Sequence, residues 1–148
     1  MTILIDIKYT QEYIDLELPA LDYAKPGDKG IDLFAIDNIV LKRNIPQLVR
    51  TGVKVAIPDD CVMLLFAKSG RSIEGIGMAN GVGVIDPSYR GEIKAPLLYF
   101  GSFGHTEIKA GLAIVQFIVM PCPEVICRTT NTLNETERGE GGFGSTRK

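Results

Sequence analysis

An all-β domain, a sandwich or barrel of short strands, is the fold class this sequence predicts, on three observations. Apolar residues alternate with a period of two in run after run. The runs come at near-regular intervals, separated by Pro, Gly and Asp turn signals, and no window carries the 3.6-residue spacing of a long amphipathic helix. A length of 148 residues suits one domain with its own core, and 45% apolar with 23% charged residues is ordinary for a soluble globular chain.

The first strand is expected at residues 3–7. Its surroundings, "MTILIDIKYT", mix Asp and Lys into the apolar run and offer no small-residue cleavage site, so export is not predicted and a cytoplasmic location is expected. Pro26, Gly27 and Asp28 then break the chain before a strand at 39–41. In "TGVKVAIP", Val53, Val55 and Ile57 point one way and Lys54 and Ala56 the other, which is a strand. Pro58, Asp59 and Asp60 turn it into the next, at 61–67. "SGRSIEG" predicts a single helical turn, followed by strands at 75–78 and 81–85. Asp86 and Pro87 are the residues a type I turn prefers at its first two positions, so a hairpin is expected there. Strands at 93–99 and 114–120 complete the set before Pro121, Cys122 and Pro123. Between them "FGSFGHTE" reads as a loop, leaving His105 without a catalytic partner. Residues 1–130 form the predicted core. Residues 131–148, with Leu133 and Phe143 as their only large apolar side chains, read as a flexible arm.

Charge and cysteine content narrow the chemistry. A net charge of −2 argues against a duplex nucleic acid partner, which needs clustered Lys and Arg, though a small polyanion needs only a few local cations. Apolar runs are broken too early to span a bilayer, so no membrane partner is predicted. Cys61, Cys122 and Cys127 are odd in number and lack C-x-x-C spacing, which favours buried or idle thiols over a disulfide framework or zinc site.

Four stretches and the arm could carry chemistry. "NGVGVIDPSYRGE" gathers an amide (Asn80), glycines that permit close backbone approach (Gly81, Gly83), a carboxylate (Asp86) and a ring (Tyr89) around one bend. Those are parts of a pocket for a flat polar base. "FAKSGRS" groups Lys68, Ser69 and Gly70, a cation, a hydroxyl and a turn whose N–H groups can face an anion; a solvated turn between strands is the plainer reading. "KGIDLFA" places Asp32 among apolar neighbours, as an edge-strand or turn acid. "AIVQFIV" places Gln116 inside an apolar strand, where its amide needs a partner. The arm, "RGEGGFGSTRK", lacks the G-x-x-x-x-G-K-[ST] order and no helix follows it in this sequence, which argues against a Walker-type phosphate loop.

Taken in order, "KGIDLFA", "AKSGRS", "NGVGVIDPSYRGE", "AIVQFIV" and "RGEGGFGST" resemble the five motifs of the trimeric dUTPases, from about residue 30 to 146. The resemblance implies a β jelly-roll homotrimer with exchanged C-terminal arms that converts dUTP and water to dUMP and pyrophosphate with Mg²⁺. It implies sites shared between subunits, the third motif from one, the first, second and fourth from a neighbour, and the arm from the remaining one. Asp86 would be the general base. Tyr89 would stack under the deoxyribose and exclude a 2′-hydroxyl, while Asn80 and the backbone of Gly83 and Val84 would read uracil in a tight hairpin. Asp32 and Gln116 would hold waters on Mg²⁺, and Lys68, Ser69 and Gly70 would contact the phosphate chain. Arg138, Ser145 and Thr146 would bind the terminal phosphates, with Gly144 beside them and Phe143 covering the base.

Two positions depart from the family pattern. Its second motif usually reads Pro-Arg-Ser-Gly where this chain has Ala67, Lys68, Ser69 and Gly70, exchanging a forked guanidinium for a point charge. Its fourth usually carries Arg two residues past the Gly, where Ala113 stands here; Arg71 is placed to compensate. The related dCTP deaminases are a rival reading, but their catalytic Glu would align near Pro96, which cannot transfer a proton. A second alternative is a dUTP-binding regulator of the same fold, whose arm closes on nucleotide to alter a surface for a protein partner.

Overall fold

Alternation fixes the inward face of each strand, as β6 (Cys61–Ala67) illustrates: Cys61, Met63 and Leu65 are buried while Val62 and Leu64 are half-exposed. The computed structural model describes residues 2–143, and its other elements are β1 (Asp6–Tyr9), α1 (Gln11–Asp15), β2 (Ile31–Phe34), β3 (Ile39–Lys42), β4 (Gln47–Arg50), β5 (Val53–Ala56), α2 (Ser69–Ile73), β7 (Ile76–Met78), β8 (Gly83–Ile85), β9 (Lys94–Tyr99), β10 (His105–Ile108) and β11 (Ala113–Pro121). The fold is all-β, as predicted, with two five-residue helices.

A four-stranded sheet in the order β2-β11-β6-β8 and a three-stranded sheet in the order β4-β9-β7 carry most of the core, with the two-stranded ribbons β1-β5 and β10-β3 beside them. Among the described residues the seven strand pairings are antiparallel, and one isolated bridge, Arg43 with Tyr99, is parallel. Leu33, Leu65 and Phe117 from the larger sheet join Val49 and Leu97 from the smaller in one buried cluster. Each such side chain contributes about 1.5–3 kcal/mol by leaving water. No helix among the described residues is long and apolar enough to cross a membrane.

Several local expectations are corrected. The first strand starts at Asp6, not residue 3, because its ladder is with β5, from Asp6 opposite Ala56 to Tyr9 opposite Val53. Strand β4 was not predicted: its apolar residues are the consecutive Leu48 and Val49, and only Val49 is buried. His105 lies not in a loop but at the start of β10, opposite Lys42 of β3, a pairing with a distant segment. The hairpin expected around Asp86 does not form either. β7 pairs with β9, and β8 pairs with β6, so the chain passes from one sheet to the other on each side of β8. Gly83 permits this: a Cβ there would meet Leu65 at 3.1 Å, so the bare backbone lets β8 lie close against β6. Among the described residues regular structure ends at Pro121, and residues 122–143 contain no helix or strand and are almost wholly exposed.

Candidate active site

Three of the candidate residues meet at one end of the four-stranded sheet. Asp32 on β2 and Gln116 on β11 are directly opposed cross-strand partners. Lys68 follows the last residue of β6, and its ammonium pairs with the Asp32 carboxylate. The Gln116 amide donates to the Ala67 carbonyl at 3.3 Å, which gives the polar group in this apolar strand its partner. Gly30 leaves room for the arrangement, since a Cβ there would collide with Gln116 Oε1. Lys68 also begins α2, its carbonyl accepting from the Ser72 N–H at 2.9 Å and hydroxyl at 3.2 Å. Ser69 and Gly70, exposed in the first turn of α2, stand beside this cluster. The Arg71 guanidinium, considered as a replacement phosphate contact, is engaged with Glu74 at 2.6 Å.

A second cluster surrounds Asp86. The Tyr89 N–H donates to the Asp86 carbonyl at 3.1 Å, closing the predicted four-residue turn. The Arg90 guanidinium folds back onto the carbonyls of Pro87 and Tyr89, and the Tyr89 hydroxyl donates to the Glu92 carbonyl at 3.0 Å. Gly91 leaves room for Tyr89, since a Cβ there would meet the ring and hydroxyl and the side chain would have to shift. Asp86, Tyr89 and Val84 line a hollow of about 310 Å³ with Leu48, Ile93 and Lys94. Beside it, β8 is the last strand of its sheet, so only one of its backbone edges is laddered. The turn at 79–82 leads into it, with Gly81 at φ 71°, and leaves Asn80 exposed.

Within one chain these clusters stay apart. β8 runs antiparallel to β6, Gly83 facing Leu65 and Ile85 facing Met63, so Asp86 leaves toward the start of β6 while Lys68 extends from its end. The arm joins neither cluster through Arg138, whose Nε donates to the Gly141 carbonyl at 2.9 Å, and Phe143 is fully exposed. Gly144, Ser145 and Thr146 lie outside the described residues.

One link escaped the sequence reading. The Glu92 carboxylate accepts from the Gly52 N–H at 2.9 Å and from Arg50 Nε at 3.1 Å, tying the Asp86 loop to the β4–β5 turn. Its partners lie 40 and 42 residues away, so no local pattern reveals it.

Residues 17–147, nearly the whole chain, match the family model for dUTPase. The chain belongs to the dUTPase family. Its relatives include the deoxyuridine 5′-triphosphate nucleotidohydrolase of Rickettsia typhi, 40% identical over 150 residues and 99% of both chains. That of Clostridium kluyveri is 39% identical over 125 residues, 84% of this chain and 87% of its own. Among solved structures, a mutant dUTPase of Staphylococcus bacteriophage 80alpha with dUpNHpp superposes at a TM-score of 0.85 with 21% identity, covering 98% of this chain and 99% of its own. A mutant dUTPase of phage phi11, described with a structural Mg(II) ion, superposes at 0.75 with 17% identity, covering 87% and 97%. At such identities the structural match speaks to the fold of this dUTPase family member.

Proposed function

We propose that the protein hydrolyses dUTP to dUMP and pyrophosphate, with Asp86 as the base. The observation that carries the reading is the Asp86–Tyr89 turn, which sets a carboxylate and an aromatic ring on one hollow beside an open strand edge. Asp86 takes a proton from water as the water oxygen bonds to the α-phosphorus. The bond from that phosphorus to the bridging oxygen breaks, and pyrophosphate leaves with its electron pair. Because phosphoryl transfer asks for little covalent help, positioning and charge supply most of the catalysis.

The base-binding part follows from β8. A strand edge presents N–H and C=O groups in the plane of a would-be neighbour, and the imide edge of uracil carries the matching acceptor-donor-acceptor pattern. The free edge near Gly83 and Val84, with the Asn80 amide, reads it, and closeness of the backbone leaves no space for a 5-methyl group. Tyr89 lies under the deoxyribose, where a 2′-hydroxyl would clash.

Lys68, Ser69 and Gly70 bind the phosphate chain, Arg138, Ser145 and Thr146, with Gly144 beside them, bind its terminal phosphates, and Phe143 covers the base. Since Asp86 and Lys68 sit at opposite ends of β6, a homotrimer with sites shared between subunits unites them. Among the described residues no three His, Cys, Asp or Glu gather as a metal cage. Asp32 and Gln116, one carboxylate and one amide on neighbouring strands, fit a hydrated Mg²⁺ held through its waters and the substrate phosphates. When bound, Mg²⁺ neutralises charge along the triphosphate.

The test is direct. With dUTP, dCTP and dTTP offered in turn with Mg²⁺, pyrophosphate is expected from dUTP alone and ammonia from none. Asp86→Asn is expected to lose about 10²–10⁴-fold in turnover, the usual worth of a positioned base, while still binding dUTP. Near-normal turnover in that variant rejects Asp86 as the base.

A further inference from the structure

We infer that Arg50 and Glu92 are positioning residues for Asp86 and Tyr89, and that they set both turnover and the discrimination against a ribose 2′-hydroxyl. The inference rests on the reading of the site given above. Its starting point is how little else holds the loop. Among the described residues, the hydrogen bonds made by residues 86–91 close on the loop itself, through the Asp86 carbonyl, the Pro87 and Tyr89 carbonyls and the Glu92 carbonyl. The loop is therefore a self-contained unit whose orientation depends on what anchors its end.

That anchor is Glu92. Its side chain is only 12% exposed, and its two oxygens accept from two donors of one short segment, Arg50 Nε and the Gly52 N–H. The segment is itself fixed on both sides. The Gly52 carbonyl accepts from the Thr10 N–H at 2.8 Å, the buried Thr51 hydroxyl donates to the Ile93 carbonyl at 2.6 Å, and the Ile93 N–H donates to the Val53 carbonyl at 2.8 Å. Arg50 extends the chain of contacts to Glu12 of α1 at 3.1 Å, with Asp37 at 3.9 Å. Hydrogen bonds to Glu12 and then Glu92 favour the charged guanidinium and raise its pKa. The Glu92 backbone carbonyl, on the same residue, receives the Tyr89 hydroxyl. A rotation of Glu92 thus moves the ring that lies under the sugar and the turn that carries Asp86.

Charge-assisted bonds of this kind are roughly twice as strong as neutral ones, and catalytic geometry tolerates little error. Glu92→Gln keeps an oxygen for Gly52 but turns its amide nitrogen, a donor, toward the Arg50 donor. Arg50→Lys keeps the charge and loses the fork, and Arg50→Ala loses both.

The experiment measures kcat and KM for dUTP and UTP in the wild-type chain, Glu92→Gln, Arg50→Lys and Arg50→Ala, with thermal midpoints in parallel. Glu92→Gln and Arg50→Ala are expected to lower kcat for dUTP by about ten-fold or more, and to erode the dUTP over UTP preference by a similar factor, on the scale of small misplacements. Arg50→Lys should restore part of both. Folded variants with wild-type kcat and wild-type discrimination overturn the inference. So does a loss shared equally by the two nucleotides that follows the thermal midpoint, because it reports stability alone. If Glu92→Gln does not fold, the Arg50 pair decides, since that side chain is 34% exposed and its truncation leaves the Glu92–Gly52 bond in place. A wild-type chain that releases no pyrophosphate from dUTP refutes the proposed activity instead, a separate outcome.

Discussion

Gly91 shows how a single residue sets the candidate site. Any side chain there would occupy the space of the Tyr89 ring and hydroxyl. Gly91→Ala is therefore expected to push the ring off its place and to lower kcat/KM for dUTP by about ten-fold or more, as a displacement near 1 Å does. The loop is at the surface, so the thermal midpoint should move little; kinetics with a melting curve checks both. Residues of this kind were legible only in part. The turn at Asp86 was legible because Asp-Pro turn chemistry is written in adjacent residues, while the role of its carboxylate as a base was implied only by the resemblance to the family. The need for Gly at 91 depends on where Tyr89 points, and the Glu92 anchor on a segment 40 residues earlier, so neither leaves a local mark.

Elements were read best where burial alternates strictly. β6 was placed residue for residue, since each second side chain enters the core. β4 and β10 were missed because pairing, not patterning, makes them strands: each has one fully buried residue, Val49 or Ile108. The short α1 was missed too, although Thr10 caps it by accepting from the Tyr13 N–H at 3.4 Å. Thr10→Ala should cost about 1 kcal/mol, the usual worth of such a cap, measured by chemical denaturation. Tyr13 gives α1 a second signature. Burial, with the neighbouring Tyr9 stacked at 4.4 Å, raises its pKa to about 12 from 10.0. Because the folded state holds this proton more tightly, the associated stability is fully present below about pH 10 and is lost as pH rises through about 12. Tyr13→Phe is expected to flatten that part of the alkaline decline in thermal midpoint, compared with the wild-type chain over the same range.

For the whole molecule, the separation of Asp86 from the Asp32, Lys68 and Gln116 cluster is the decisive property. On the proposed sharing of sites in a trimer, the impaired variants Asp86→Asn and Asp32→Ala should complement each other when unfolded together and refolded, because a mixed assembly would contain some intact sites. Activity above that of either variant alone is the expected result, and its absence counts against sharing. The arm offers a second check. Among the described residues regular structure ends at Pro121, so removing residues 139–148 should leave melting behaviour nearly intact while turnover falls severely. The sequence pointed to the fold class and the motif order through composition and spacing. Which motifs meet in one chain required the register of β6 against β8 and β11.

The open edge of β8 bears on how base preference could change. On the proposed reading, the part of the base met by main-chain N–H and C=O groups of β8 is read by atoms that all residues but proline share. Replacing the Val84 side chain therefore leaves those hydrogen bonds unchanged, while the Asn80 amide stays open to substitution. Converting such a pocket to accept cytosine would require shifting the strand by one residue or re-routing its turn. Mutational drift can reach those changes only by disrupting the ladder with β6. The main-chain part of such fidelity is robust to point mutation and correspondingly hard to redesign.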